Sequence, residues 1–255
     1  MTVADRLTGR ELFARYAFPP NELGYCGPEG SSQAELGAHA REFDGAWPYL
    51  EAIAEAGDLT DPLDPVVVTA YWVGGPKLAS VDPEQLLTRL RGAFAGQVTG
   101  LLGDLDTSAP VLAHHSFHVF VVYPWVRFLT PNTDNATPLR VLQDCRIRWG
   151  TVESVDNQHV VIASRPLMFR DGELAMGDAR AERVRWRRDA VALTPSAPAP
   201  GEIVAAHWDW VCATLDVADA HALHTATQAT LDLVNAARSA AHEQTQTRPG
   251  RGVSR

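Results

Sequence analysis

The period of the apolar residues changes once along this chain, and that change limits what the chain can fold into. Up to residue 129 apolar side chains recur at helical spacing, in RELFARYAF, in AWPYLEAIAEAG and most clearly in PEQLLTRLRGAFAGQVTGLLGDL. After residue 138 they alternate or run with β-branched residues, in CRIRWGTVESV, HVVIASRPL and RAERVRW. Between the two lies TPNTDNATP, residues 130–138, where two prolines and several turn formers break any regular element. The pattern predicts an α+β protein with a mainly helical domain of unknown role over 1–135 and a small antiparallel β-barrel over 136–240.

Finer signals follow from single residues. Asp82 is placed to cap a helix that Pro83 opens. VLAHHSFHVFVVYPWVRFL is apolar almost all round, which predicts a buried helix that Pro124 interrupts, or a helix followed by a strand. Asp156-Asn157 and Asp171-Gly172 supply tight turns between strands. EIVAAHW reads as a further strand, and the stretch after Asp216 reads as a long C-terminal helix. The tail, 241–255, is expected to be disordered.

A formal net charge of -9 argues against a surface built for duplex nucleic acid, which needs clustered cations to displace counterions from phosphates. The strongest basic run, Arg183, Arg185, Arg187 and Arg188, alternates along a strand and reads as a solvated face. Three cysteines far apart, Cys26, Cys145 and Cys212, do not make a secreted disulfide framework. The N-terminus shows no signal-peptide character, and HVFVVYPWVRFL is too short and too interrupted to span a bilayer. A cytoplasmic protein without a membrane segment is the expectation.

Few residues are equipped for chemistry. Cys145 lies between Asp144 and Arg146, with Arg148 two residues on, and guanidinium groups beside a thiol favour the thiolate. It is expected at the start of the first strand, partly exposed. His207 lies in EIVAAHWDW among apolar and aromatic neighbours. Each also has a plain alternative, Cys145 as a small buried hydrophobe and His207 as a hydrogen-bonded core histidine. Cys26 lies in the Gly- and Pro-rich loop NELGYCGPEGSS, and His114 and His118 are one helical turn apart, so that on a helix both would face one side. Cys212, spaced helically from Trp208 and Leu215, reads as packing.

Two blocks carry a resemblance. The first is Cys145, Ile147, Gly150 and Val152, followed by Val155; the second is Gly201, Val204, His207, Leu215, Asp216 and Ala220. In order and spacing, residues 141–236 resemble the HypC-type chaperones of NiFe-hydrogenase maturation. Cys145 is internal where that family begins with its cysteine, Trp149 stands in a proline position, and Glu202 replaces an aspartate. ELFARYAFPPNELGYCGP and HHSFHVFVVYPWVRF resemble an actinobacterial family that accompanies hydrogenase genes.

The resemblance implies an OB-like barrel ended by a helix. It also implies an accessory role rather than turnover of a substrate, with an iron carrying cyanide and carbonyl ligands held transiently by Cys145 and His207. The partners it implies are hydrogenase maturation proteins and the hydrogenase large subunit. Thiolate is a fitting donor to so soft a centre. Two alternatives stand beside it: an enzyme using Cys26 or the His114 and His118 pair in the N-terminal part, and a non-catalytic protein-interaction module.

Overall fold

Thr8 opens the first helix by a reciprocal cap, its hydroxyl accepting from the Glu11 amide while the Glu11 carboxylate accepts from the Thr8 amide. The computed structural model describes residues 7–131 and 135–246. Its N-terminal half is helical, with α1 over Gly9–Glu22, α2 over Gln33–Leu36, α3 over Trp47–Ala56, α4 over Pro65–Trp72, α5 over Pro83–Ala93 and α6 over His115–Phe117. Asp82 caps α5 as expected, accepting from the Gln85 amide at 2.8 Å. The long apolar segment takes the first of the two expected forms, a buried helical run that Pro124 interrupts, though most of it is not regular α-helix. After α6 come a π-helical turn, His118–Val122, and a 3-10 turn, Pro124–Phe128, because Pro124 cannot continue an α-helix.

Helix α7, Ala136–Cys145, leads into the strands β1 (Arg148–Val155), β2 (His159–Ser164), β3 (Leu167–Arg170), β4 (Glu173–Met176), β5 (Arg180–Arg185), β6 (Arg187–Arg188), β7 (Val191–Ala192), β8 (Ile203–His207) and β9 (Trp210–Leu215). Helix α8, Val217–Gln246, closes the chain. The protein is thus α+β, with a C-terminal helix. Two expected boundaries move. Cys145 is the last residue of α7 rather than the start of a strand, and 241–246 continue α8 instead of being disordered; 247–255 lie outside the described residues.

Five strands pair in the order β1-β2-β5-β9-β8, and β8 returns to β1, so the sheet closes on itself. It is mixed rather than purely antiparallel, since β5 and β9 run parallel. Asp171 and Gly172, both at positive φ, turn β3 into β4 as a separate hairpin. Its Leu174 amide donates to Asn235 Oδ1 on α8 at 2.9 Å.

The closed sheet has a small core of its own, Val152, Val160, Ile162, Val184, Val204, Ala206 and Val211. Alternate residues of β8 point the other way, and Ala205 belongs to the large core that runs from α1 through α7 to α8. His207, two residues on, faces the helices with it. Three of the basic residues form exposed ion pairs, Arg183 with Asp156, Arg185 with Asp209 and Arg188 with Glu22. No helix among the described residues is long and apolar enough to cross a membrane.

Candidate metal centre

His207 is fully buried and its ring is fixed from the helical half. The α1 sequence contains Pro19 and Pro20, and Pro20 has no N–H to give to the carbonyl four residues back. That carbonyl belongs to Tyr16, and Nδ1 of His207 donates to it at 2.7 Å. The bond assigns the tautomer: with Nδ1 protonated, Nε2 carries a lone pair, and this buried nitrogen has no partner. An orphaned acceptor of that kind, oriented by a carbonyl behind the ring, is the usual setting of a metal-binding imidazole.

His115 is held in a matching way. Its Nε2 donates to the Cys145 carbonyl at 2.9 Å, one of the carbonyls that the end of α7 leaves without a helical partner. Its Nδ1 therefore holds the lone pair, 3.2 Å from the Tyr71 oxygen, whose single proton is donated to the Gly45 carbonyl at 2.9 Å. Cys145 lies beside both rings. One ligand atom from each of His115, Cys145 and His207 falls within 4.8 Å of the others, and all three residues are buried.

The ring geometry suits a shared ion. With a metal–nitrogen bond of about 2.0 Å, each ring centre sits roughly 3.2 Å from the metal, and a tetrahedral angle separates two such centres by about 5.2 Å. The centres of His115 and His207 are 5.1 Å apart, with the planes at 76°.

Electrostatics keep this cluster neutral until something charged enters it. Burial lowers His115 to about 4 and holds His207 well below the ordinary imidazole range. Burial raises the Cys145 thiol far above its usual value, and a charge on Cys26 would raise it further. The thiolate expected from the neighbouring arginines is therefore disfavoured by burial, and Cys145, 8% exposed, is not open to solvent. Both arginines are engaged elsewhere. Arg148 donates to Glu182 and to the carbonyls of Gln143, Asp144 and Trp208, and Arg146 donates to the Arg165 carbonyl and stacks on Trp149. They brace the end of α7 against the β8–β9 turn.

The cluster forms the floor of a cavity of about 410 Å³ whose wall includes Phe43, Tyr71, Trp72, Phe94 and Tyr123. Cys26 and His118 line it too, so four of the five sequence candidates share one wall. His114 does not. It caps α6, its Nδ1 accepting from the Ser116 amide at 3.1 Å, and Ser116 is bonded on to Thr230 of α8 at 2.7 Å. The expected His114 and His118 face is thus broken by the short α6. His115 was the histidine that sequence reasoning passed over, although its three-residue spacing to His118 in HHSFH is a helical signal of equal strength. Cys212 is buried in β9, not in a helix, and is packing as expected.

Fold and site together define an α+β protein in which a closed five-stranded sheet and a helical half jointly build a buried His-Cys-His cluster. Residues 5–241 match the family model DUF6390, a family of unknown function, and the chain belongs to that family. No curated protein and no solved structure matches it.

Proposed function

We propose that the protein is a metal-holding accessory factor of NiFe-hydrogenase maturation, with iron as cargo at Cys145, His207 and His115. One observation carries the metal-holding part: three donor residues from three separate segments converge within 4.8 Å on a cavity floor, one of them presenting an orphaned nitrogen. A volume of 410 Å³ is far more than a bare ion needs, and it suits a metal that arrives with ligands of its own. A bound cation would supply the charge that lets Cys145 ionise, releasing a proton as it binds.

The hydrogenase part rests on the resemblance of 141–236 and on topology. Numbered by their order in the chain, the five closed-sheet strands run 1-2-3-5-4 with the 3–5 contact parallel, which supports the OB-like reading. The rival enzyme reading would place its chemistry in the same cavity. It lacks an ionised pair at neutral pH, since burial lifts Cys26 to about 12 and lowers His118 to about 3.

The test is anaerobic loading of the purified chain with ferrous iron, followed by complementation in the native host. One iron per chain is expected, lost in Cys145→Ala and His207→Ala, together with loss of hydrogenase activity in hosts carrying either variant. A Cys145→Ala host with fully active hydrogenase would overturn the maturation role, and stoichiometric iron retained by both variants would overturn the site.

A further inference from the structure

Three donors leave a tetrahedral ion one ligand short, and all three donor residues line the cavity. The remaining donor-type side chains on the described wall are Cys26, His118, Glu42 and Asp44. The two carboxylates are exposed at the rim, and oxygen is the poorer match to a centre already bearing a thiolate. The His118 ring centre lies 6.4 Å from that of His115, nearly parallel to it, a separation that would need the two nitrogens on opposite sides of the ion. A tetrahedral centre excludes it.

The loop that carries Cys26 is held in place by four contacts, two of which lead to the neighbours of His207 and Cys145. Asn21, buried at the end of α1, donates to the Cys26 and Pro28 carbonyls at 2.9 Å each, which fixes the loop backbone on both sides. Tyr25 stacks on Trp208, with ring centres 4.4 Å apart, and Trp208 directly follows His207. The Trp208 amide in turn donates to the Asp144 carbonyl at 2.8 Å, next to Cys145. The loop is flanked by Gly24 and Gly27 at φ 73° and 77°, and any side chain at Gly27 would meet the Phe43 ring. Cys26 is half-buried, with its thiol on the cavity wall but outside the three-residue group.

We propose that Cys26 is the fourth, exchangeable ligand, its side chain rotating on a fixed backbone to complete a Cys2His2 centre when a borderline divalent metal is bound and turning away to open it. The inference rests on the metal-holding reading of His115, Cys145 and His207. It adds that Cys26 is the exchangeable ligand, because it is half-buried whereas His115, Cys145 and His207 are all buried.

Cobalt(II) tests it, since its ligand-to-metal band in the near ultraviolet scales with the number of thiolates and its visible bands report tetrahedral geometry. Under argon, the full chain titrated with cobalt should show tetrahedral bands and a sulfur band that Cys26→Ser cuts about twofold while leaving the stoichiometry at one. A second measurement does not need a variant: bound cobalt should slow alkylation of Cys26 in the wild-type chain at least tenfold. A Cys26→Ser spectrum identical to wild type, or alkylation unchanged by cobalt, overturns the fourth ligand while the three-residue site stands. Failure of the wild-type chain to bind cobalt at all overturns both.

Discussion

Lowering the pH should unfold this protein at an unusually mild acidity, and the reason lies in its buried histidines. His114, His115 and His207 are 1%, 5% and 0% exposed, and desolvation holds all three below the ordinary value of 6.5, the first at about 3 and the second at about 4. Well above pH 6.5 they are neutral in both the folded and the unfolded chain and contribute no pH dependence. Below it the unfolded chain gains protons that the folded chain refuses, so stability falls as pH falls, until the folded groups themselves titrate.

Each group approaches a cost of about 1.4 kcal/mol per pH unit as the unfolded imidazole becomes fully protonated, so three of them remove roughly 5 kcal/mol between pH 6.5 and 5. That loss is comparable with the whole stability of a typical domain, about 5–15 kcal/mol. Asp144 and Asp219, both shifted up by burial, act in the opposite sense, but carboxylates titrate mostly below this window. Urea midpoints by circular dichroism at pH 7.5, 6.5, 5.5 and 5 should fall steeply below 6.5. A midpoint that stays flat from pH 7 to 5 would refute the assignment of these histidines as neutral and unable to protonate in place.

Further outcomes follow from the same geometry. Zinc at about a hundred times its dissociation constant should stabilise the folded chain by about 2.7 kcal/mol, raising Tm by roughly 5–10 °C in calorimetry. His115→Ala should abolish that rise, and a full rise in the variant would remove His115 from the site. Under native conditions a disulfide reagent should modify Cys26 well before Cys145 or Cys212, and faster reaction at Cys145 would contradict its burial. Gly150→Ala would place a methyl 2.5 Å from the Ala163 carbonyl across the β1–β2 pair. A loss of about 1–3 kcal/mol in the urea denaturation free energy is expected, and an unchanged midpoint would refute the close approach.

Much of this architecture was legible because local signals and tertiary packing agree. Asp82-Pro83, Asp171-Gly172 and the alternation of HVVIAS each place an element where the fold has one. The failures fall where the period is ambiguous. Val141, Leu142 and Cys145 share a buried helical face, so α7 runs through the residue at which the resemblance would begin a strand. Cys212 lies in a strand covered on both sides, whose near-continuous burial shows no alternation to distinguish it from a helix. The pairing of Cys145 with His207 was legible in two spaced blocks, whereas His115 was not, since nothing local shows which imidazole of HHSFH a short helix and a π turn will aim inward.

The same contacts explain why the site belongs to the whole chain and not to the closed sheet alone. His207 is oriented by a carbonyl that Pro20 frees in α1, His115 by a carbonyl at the end of α7, and Cys26 by Asn21 and the Tyr25–Trp208 stack. The two rings are thus held by backbone carbonyls of segments distant in sequence, and those carbonyls are ones a helix leaves unpaired. Removing residues 1–129 would take away His115 and Cys26 outright and would leave the His207 ring without the bond that sets its tautomer. On the proposed reading the helical half would be part of the metal centre, supplying His115 and Cys26 and orienting His207, and the closed sheet would serve as the frame that carries β8 and the end of α7 to meet it.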